Sequence, residues 1–365
     1  MKRLLIHVLN AIALLISIST VVLGQNATNS AIDKANGAVK LMDKGHYDES
    51  IHLLEEALAL DAQNISIHYE LAYAYYLKED YQKVINILDS IIDHPDVNDR
   101  YFQQLGNAYD LNNHPDKAIE TYKKGLKKFP QSGPLHLELG NIYLQKEAYA
   151  EALNYYENGI AAAPAFPSNY FWAAILYLST TEKVWGMIYG EIFMNLERKG
   201  KRTEQISELL YKTYTENIVK TSDTTLRVTF SQYNTIDASK VINKEKFELP
   251  FGIGVYERLL MMSAFDQSQI NLSSLPTIRS RFIDLYYEEG LQKTYPNVLF
   301  DYQKKIQDAG HAESYHYWIL MKGHNQSFID WHAKHNVEWE NFVNWFIKNP
   351  IEVDKNNVFL SSNYE

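Results

Sequence analysis

Five histidines, His311, His316, His324, His332 and His335, fall close together near the C-terminus, and imidazole is a common ligand for zinc. His332, His335 and Glu338 stand at i, i+3 and i+6, which lines them up on one face if a single helix runs through them. A fourth ligand from elsewhere would complete a metal site. Against that chemistry, Asn336 interrupts the helix, no HExxH pattern is present, and Trp331, Trp339, Phe342, Trp345 and Phe346 make the same stretch an aromatic core stripe. The histidines are therefore read as packing or surface residues, and no metal or other cofactor is assigned. Phe251-Gly252-Ile253-Gly254 contains a GxG without a third glycine, so it is read as a flexible hinge rather than a phosphate loop. Glu288 and Glu289 are helix neighbours that point in different directions and cannot flank one bond. With no GxSxG elbow either, the chain is read as a non-enzyme. The alternative kept open is an enzyme, such as a metal-dependent hydrolase, with its active site in the C-terminal half.

The elements that would position any site are set by a repeat. Leu105, Gly106, Asn107, Tyr109, Ala118, Tyr122, Gly125 and Pro130 recur, each 34 residues later, as Leu139, Gly140, Asn141, Tyr143, Ala152, Tyr156, Gly159 and Pro164. Such a period marks a unit that cannot bury its own apolar face and must stack on copies of itself. Within it, Leu105, Gly106 and Tyr109 share one stripe of a first helix, and Ala118, Tyr122 and Gly125 one stripe of a second. Small residues mark where the two helices approach, tyrosines fill the space between them, and Pro130 ends the unit.

This small-and-large pattern resembles the tetratricopeptide repeat. The resemblance implies an all-α superhelix of about five helical hairpins, near 31–64, 65–98, 99–132, 133–166 and 167–197, within a repeat domain over 25–197. The first copy, with Gly37, Ala38, Leu41, Gly45 and Tyr47, is weaker, as terminal repeats usually are. In the fifth, Gly190 replaces the expected aromatic and no proline follows, so its second helix is expected to press closely on what comes next.

The first helices of such a superhelix line a concave groove. Carried over from the family's frame, the groove-facing residues are Tyr69, Tyr73 and Tyr76, then Arg100, Gln103, Asn107 and Asp110, then Leu137, Asn141 and Leu144. The resemblance implies a binding site for a peptide or partner helix, with Asn107 and Asn141 placed to pair with an extended backbone. The carboxylate clamp of some family members needs lysine and asparagine where this chain has Ala35 and Val39, so that subclass is set aside.

From 198 to 365 the period is lost, and the sequence predicts a mainly helical domain. A helix over 204–220 is followed by alternation at Leu226, Val228 and Phe230, a short strand that needs a partner. Helices punctuated by proline and glycine then span 255–265, 276–289, 296–309, 313–322, 327–335 and 337–348.

At the other end, Lys2, Arg3 and the apolar run Leu4 to Leu23 read as a signal peptide, 1–24, cleaved after Gly24. The expectation is export to the periplasm or beyond, with no stable membrane span after cleavage; the alternative kept open is an uncleaved anchor, since 20 residues could just cross the hydrocarbon. The chain has no cysteine, which excludes disulfides, thiolate metal sites and a lipoprotein anchor. Cleavage would leave 33 basic against 45 acidic side chains, shifting the formal charge from −10 to −12. A polyphosphate would be repelled. Nucleic acid is therefore not expected as a partner, and the cluster Arg198, Lys199, Lys201 and Arg202 is read as solvating a helix junction. The partner expected is another protein or peptide, and self-association through an end repeat stays open. Sequons at Asn26, Asn64, Asn271 and Asn325 matter only in a host that glycosylates.

Overall fold

The computed structural model describes residues 28–222, 225–231 and 249–364. The expected signal peptide and the Asn26 sequon lie outside them. Contacts divide the chain after Pro130 into two units.

The first unit is three helical hairpins: α1 (28–42) with α2 (Tyr47–Leu60), α3 (Ile65–Leu77) with α4 (Tyr81–Ile91), and α5 (Asp99–Leu111) with α6 (Pro115–Lys128). The second unit opens with two more, α7 (Gly133–Gln145) with α8 (Tyr149–Ala162) and α9 (Pro167–Leu178) with α10 (Lys183–Leu196). The expected small-and-large interlock is present. A Cβ on Gly106 would lie 2.1 Å from Tyr122 Cε1, and one on Gly140 would lie 2.3 Å from Tyr156 Cε1. Only glycine lets those rings lie against the first helix.

The hairpins also close alike. Gly45, Glu79, Asn113 and Glu147, spaced by the repeat, adopt left-handed φ values of 80°, 60°, 61° and 57°. The following amides, of His46, Asp80, His114 and Ala148, donate back to Leu41, Tyr75, Tyr109 and Tyr143, a Schellman closure that satisfies carbonyls at the helix end. Glycine takes that conformation freely, whereas the other three carry a steric cost. At the opposite end, Asn64, Asn98 and Ser132 cap α3, α5 and α7 by accepting from Ile67, Arg100 and Leu135 amides.

In the second unit the fifth hairpin becomes part of a larger core. Every residue of α10 from Val184 to Asn195 is buried, because α9 covers one side and α11 (Lys201–Asn217) another. Gly190 allows this approach, with Ile206 Cγ2 3.1 Å from where its Cβ would be. The predicted strand has its partner in the residues just before it: β1 (Ile218–Ser222) pairs antiparallel with β2 (Thr225–Val228), Ile218 opposite Val228. The helix expected through Lys220 thus ends at Asn217, and its last residues supply the strand edge.

The expected hinge is corrected. Gly252–Glu257 is a π-helical turn running directly into α12 (Arg258–Ala264), and Phe251 before it is buried. A Cβ on Gly252 would meet Ser231 Cβ at 2.7 Å, so this glycine serves close packing rather than flexibility. The remaining helices lie close to their expected bounds: α13 (Leu275–Glu288), α14 (Val298–Asp308), α15 (Ala312–Leu320), α16 (Asn325–His332) and α17 (Asn336–Lys348). A final segment ends in a short turn at Ser361–Asn363. One hydrophobic core joins α8, α9 and α10 to these helices and to Phe359. No helix of the described residues is long and apolar enough to cross a membrane.

Candidate functional site

Seven of the ten groove candidates lie in the first unit and three in the second. On α3, Tyr69, Tyr73 and Tyr76 follow one another at spacings of four and three, which places them on one stripe. Tyr73 is 40% exposed, and its ring stacks with Tyr76 at 6.4 Å between centroids. Tyr69 lies against Tyr101 at 4.8 Å. Burial, reinforced by the charge of Glu70, raises the Tyr69 pKa, while Arg100 opposes the shift. Arg100 itself is exposed on α5 and makes no ion pair among the described residues, so its guanidinium is available to an anion. Gln103 and Asp110 are half-buried on the same helix and already engaged in side-chain interactions.

The two asparagines do not offer the matched amides expected of them. Asn107 Oδ1 accepts from the Tyr122 hydroxyl at 2.5 Å, which takes one of its two acceptor positions and leaves the Nδ2 donor for a ligand. In the second unit, Asn141 Oδ1 accepts from Tyr156 at 3.0 Å and its Nδ2 donates to Glu138 at 3.2 Å, so each end of that amide already has one partner. Leu137 and Leu144 are half-buried and pack against the core of the second unit. What the first unit presents is therefore an aromatic stripe beside one cation and one amide donor.

The C-terminal histidines each lie against aromatic rings. His335 stacks on Trp331 at 4.9 Å, and Trp331 stacks on Tyr317 at 4.1 Å. His332 meets Trp339 edge-on, His311 lies near Trp345, and His324 Nδ1 caps α16 by accepting from the Ser327 amide. Among the described residues no group of three or more histidine and acidic side chains could hold a metal ion. Glu289 is held by both Nη atoms of Arg258. Two arginines of the basic cluster are tied down rather than solvated: Arg198 donates to the Phe346 carbonyl at 2.7 Å, and Arg202 donates to Glu197 and to Ser168.

Sequence reasoning missed a buried ionic centre. Arg279 on α13 donates to Glu191 on α10 at 2.6 Å, to Tyr214 at 3.0 Å and to His316 Nδ1 at 2.9 Å. Glu191 also accepts from Tyr315 at 2.8 Å and from Gln303. Burial is the largest single influence and would depress Arg279, but the Glu191 charge and its hydrogen bond, with Tyr214 and Tyr315, together outweigh it and raise the pKa. His316 is pushed well below the usual range, first by burial and then by the Arg279 charge, so it stays neutral and accepts through Nδ1. The adjoining cavity is about 20 Å³, room for about one water molecule. Its chemistry is that of a fully bonded internal charge pair, and the one sequence signal for it was a lone glutamate in the apolar stretch of α10.

Known proteins compare as follows. A family model described as "TPR repeat" matches residues 40–78, and one described as "Tetratricopeptide repeat" matches residues 104–169. The chain is 28% identical over 120 residues to the BBSome complex member BBS4 of Bos taurus, covering 33% of this chain and 23% of that protein. It is 38% identical over 53 residues to tetratricopeptide repeat protein 21A of Mus musculus, covering 14% and 4%. It thus spans less than a quarter of the length of either relative. Among solved structures, a thermophilic TPR protein of Thermus thermophilus shares 18% identity with a TM-score of 0.41, covering 50% of this chain and 99% of that one. YrrB, a TPR protein with an unusual peptide-binding site, shares 16% identity with a TM-score of 0.36, covering 50% and 94%.

Proposed function

Taking as premise that this is a tetratricopeptide-repeat protein, we propose that it is an exported scaffold or adaptor that holds another protein or peptide on the inner wall of its repeats. The observation that carries this reading is the wall of α3 and α5, where Tyr73 is 40% exposed and, among the described residues, Arg100 makes no ion pair and Asn107 has its Nδ2 donor free. Tyrosine gives large contact area at low entropic cost, and an unpaired guanidinium adds direction. Export rests on the basic start and apolar run of residues 1–24, and N-terminal sequencing of the mature protein is expected to begin at Gln25. An exported chain that retains Met1 would contradict cleavage and assign residues 4–23 to an anchor, whereas a chain found only in the cytoplasmic fraction would contradict export.

The wall is tested by affinity capture from the exported fraction of the native cell, comparing wild type with Tyr73→Ala/Arg100→Ala/Asn107→Ala at matched helicity and melting temperature. A specific partner kept by wild type and lost by the triple variant supports the wall. Equal capture by both contradicts it.

A further inference from the structure

Two repeats before the site where its own C-terminal segment is seated, the chain has an equivalent open site with different chemistry. In the second unit, Ser361 donates its amide to Tyr189 Oη at 2.9 Å. Its hydroxyl lies 2.9 Å from Tyr177 Oη and donates to Glu157 Oε1, which also accepts from Tyr177 at 3.1 Å. Two residues earlier, Phe359 is buried against Trp185 and Tyr189, with ring centroids 5.9 and 5.7 Å away. The seat therefore has two parts: a tyrosine–carboxylate pair that takes a hydroxyl, and an aromatic surface that takes a ring.

Moving back two repeats, Glu157, Tyr177, Trp185 and Tyr189 become Asp89, Tyr109, Lys117 and Thr121. These four residues line a cleft of about 230 Å³ in the first unit. Part of the hydroxyl-binding half is preformed, since Tyr109 donates to Asp89 at 2.6 Å just as Tyr177 donates to Glu157; the second donor to Glu157, Tyr189, is replaced by Thr121, whose hydroxyl donates to the Lys117 carbonyl. The other half has changed from apolar to charged, and Glu120, at the position of Ile188, lines the cleft together with two lysines. Lys117 replaces Trp185 with its ammonium 5.4 Å from the Tyr109 ring centroid, and Lys124, at the position of Ile192, pairs with Asp93 at 2.7 Å. None of the groove candidates lines this cleft.

We propose that the cleft binds an extended segment of a partner protein carrying Asp or Glu two residues before Ser or Thr, the hydroxyl joining the Tyr109–Asp89 pair and the carboxylate meeting Lys117. The seated tail fixes the spacing, and the exchange of Trp185 for Lys117 fixes the charge. The chain's own tail is the poorer occupant, because Phe359 would exchange the rings of Trp185 and Tyr189 for the side chains of Lys117 and Thr121.

Fluorescence anisotropy on the full chain tests this with a labelled peptide of residues 356–364 carrying Phe359→Glu. Saturable binding is expected, weakened about tenfold by Lys117→Glu and restored to that variant by the Phe359→Lys peptide. Because Lys117 is exposed, the helix should tolerate the change, and the reversed-charge rescue separates lost contact from lost folding. Tyr73→Ala/Arg100→Ala should bind the peptide like wild type, so failure of the inner-wall reading and failure of this one are distinguishable. No saturable binding, or binding indifferent to Lys117→Glu, would overturn the proposal. Tighter binding of the unaltered 356–364 peptide would assign the cleft to the tail of a second copy and overturn it equally.

Discussion

In the first unit each second helix buries three or four residues and turns the rest outward: α6 buries only Ala118, Tyr122 and Gly125. In the second unit α10 occupies the same repeat position yet is buried from Val184 to Asn195, with Glu191 inside. One hairpin pattern therefore serves both as a stacking unit with a free polar face and as the central helix of a larger core. The cost of the second use is internal polarity, offset by the Arg279 ion pair and its hydrogen bonds. The first use leaves the outward face of each second helix free, and the cleft lined by Lys117, Thr121 and Lys124 of α6 depends on that.

The largest expected effect comes from breaking the internal pair. Arg279→Met leaves Glu191 buried without its cation and should lower the stability of the second unit by about 3–5 kcal/mol. Tryptophan fluorescence during urea unfolding reads it selectively, because all six tryptophans, at 172, 185, 318, 331, 339 and 345, lie beyond Pro130. A shift below about 1 kcal/mol would mean the pair is not buried as described. Next in size, Gly106→Ala drives a methyl into Tyr122, whose hydroxyl is held by Asn107. Overpacking of about 1–3 kcal/mol should exceed the helix-propensity gain, lowering the thermal midpoint followed by circular dichroism. An unchanged or raised midpoint would show that the hairpin relaxes freely.

The third prediction concerns pH. His316 is depressed in the folded state by burial and then by Arg279. Above about pH 6.5 neither state binds the proton, and below it the unfolded chain does while the folded one does not. Its contribution is thus fully present above that pH and is lost as pH falls toward the depressed folded value, by up to about 1.4 kcal/mol per pH unit. His316→Gln should flatten the decline in urea midpoint between pH 7 and pH 5, and an identical slope in the variant would exclude this histidine as its source. The smallest effect is a gain: Glu79→Gly relieves a left-handed residue in the first unit and should stabilise it by about 0.5–1 kcal/mol.

Much of the repeat architecture was legible because the same contact recurs with the same residues, as in Gly106 with Tyr122 and Gly140 with Tyr156. Other periodic devices recur with changed residue types, so matching identities passed over them. The caps Asn64, Asn98 and Ser132 are one case, and the carboxylates Glu55, Asp89 and Glu157, which accept from Tyr75, Tyr109 and Tyr177, are another. The inner-wall residues were placed by the frame alone, which could not reveal that the hairpin tyrosines already occupy both asparagine carbonyls. The pairing of Glu191 with Arg279 lies between residues far apart in sequence, and no local spacing encodes such a partner. The glycine pair at 252 and 254 was misread because a glycine required by close packing looks, in sequence, like one chosen for flexibility.

The contrast between the two units is tested most directly by native-state hydrogen exchange of the full chain, read by mass spectrometry. If the fifth hairpin is part of the second unit's core, amides of α9 and α10 should open with the same free energy as those of α13 and α15. Exchange of α9 and α10 with a distinctly lower opening free energy than α13 and α15 would contradict the account.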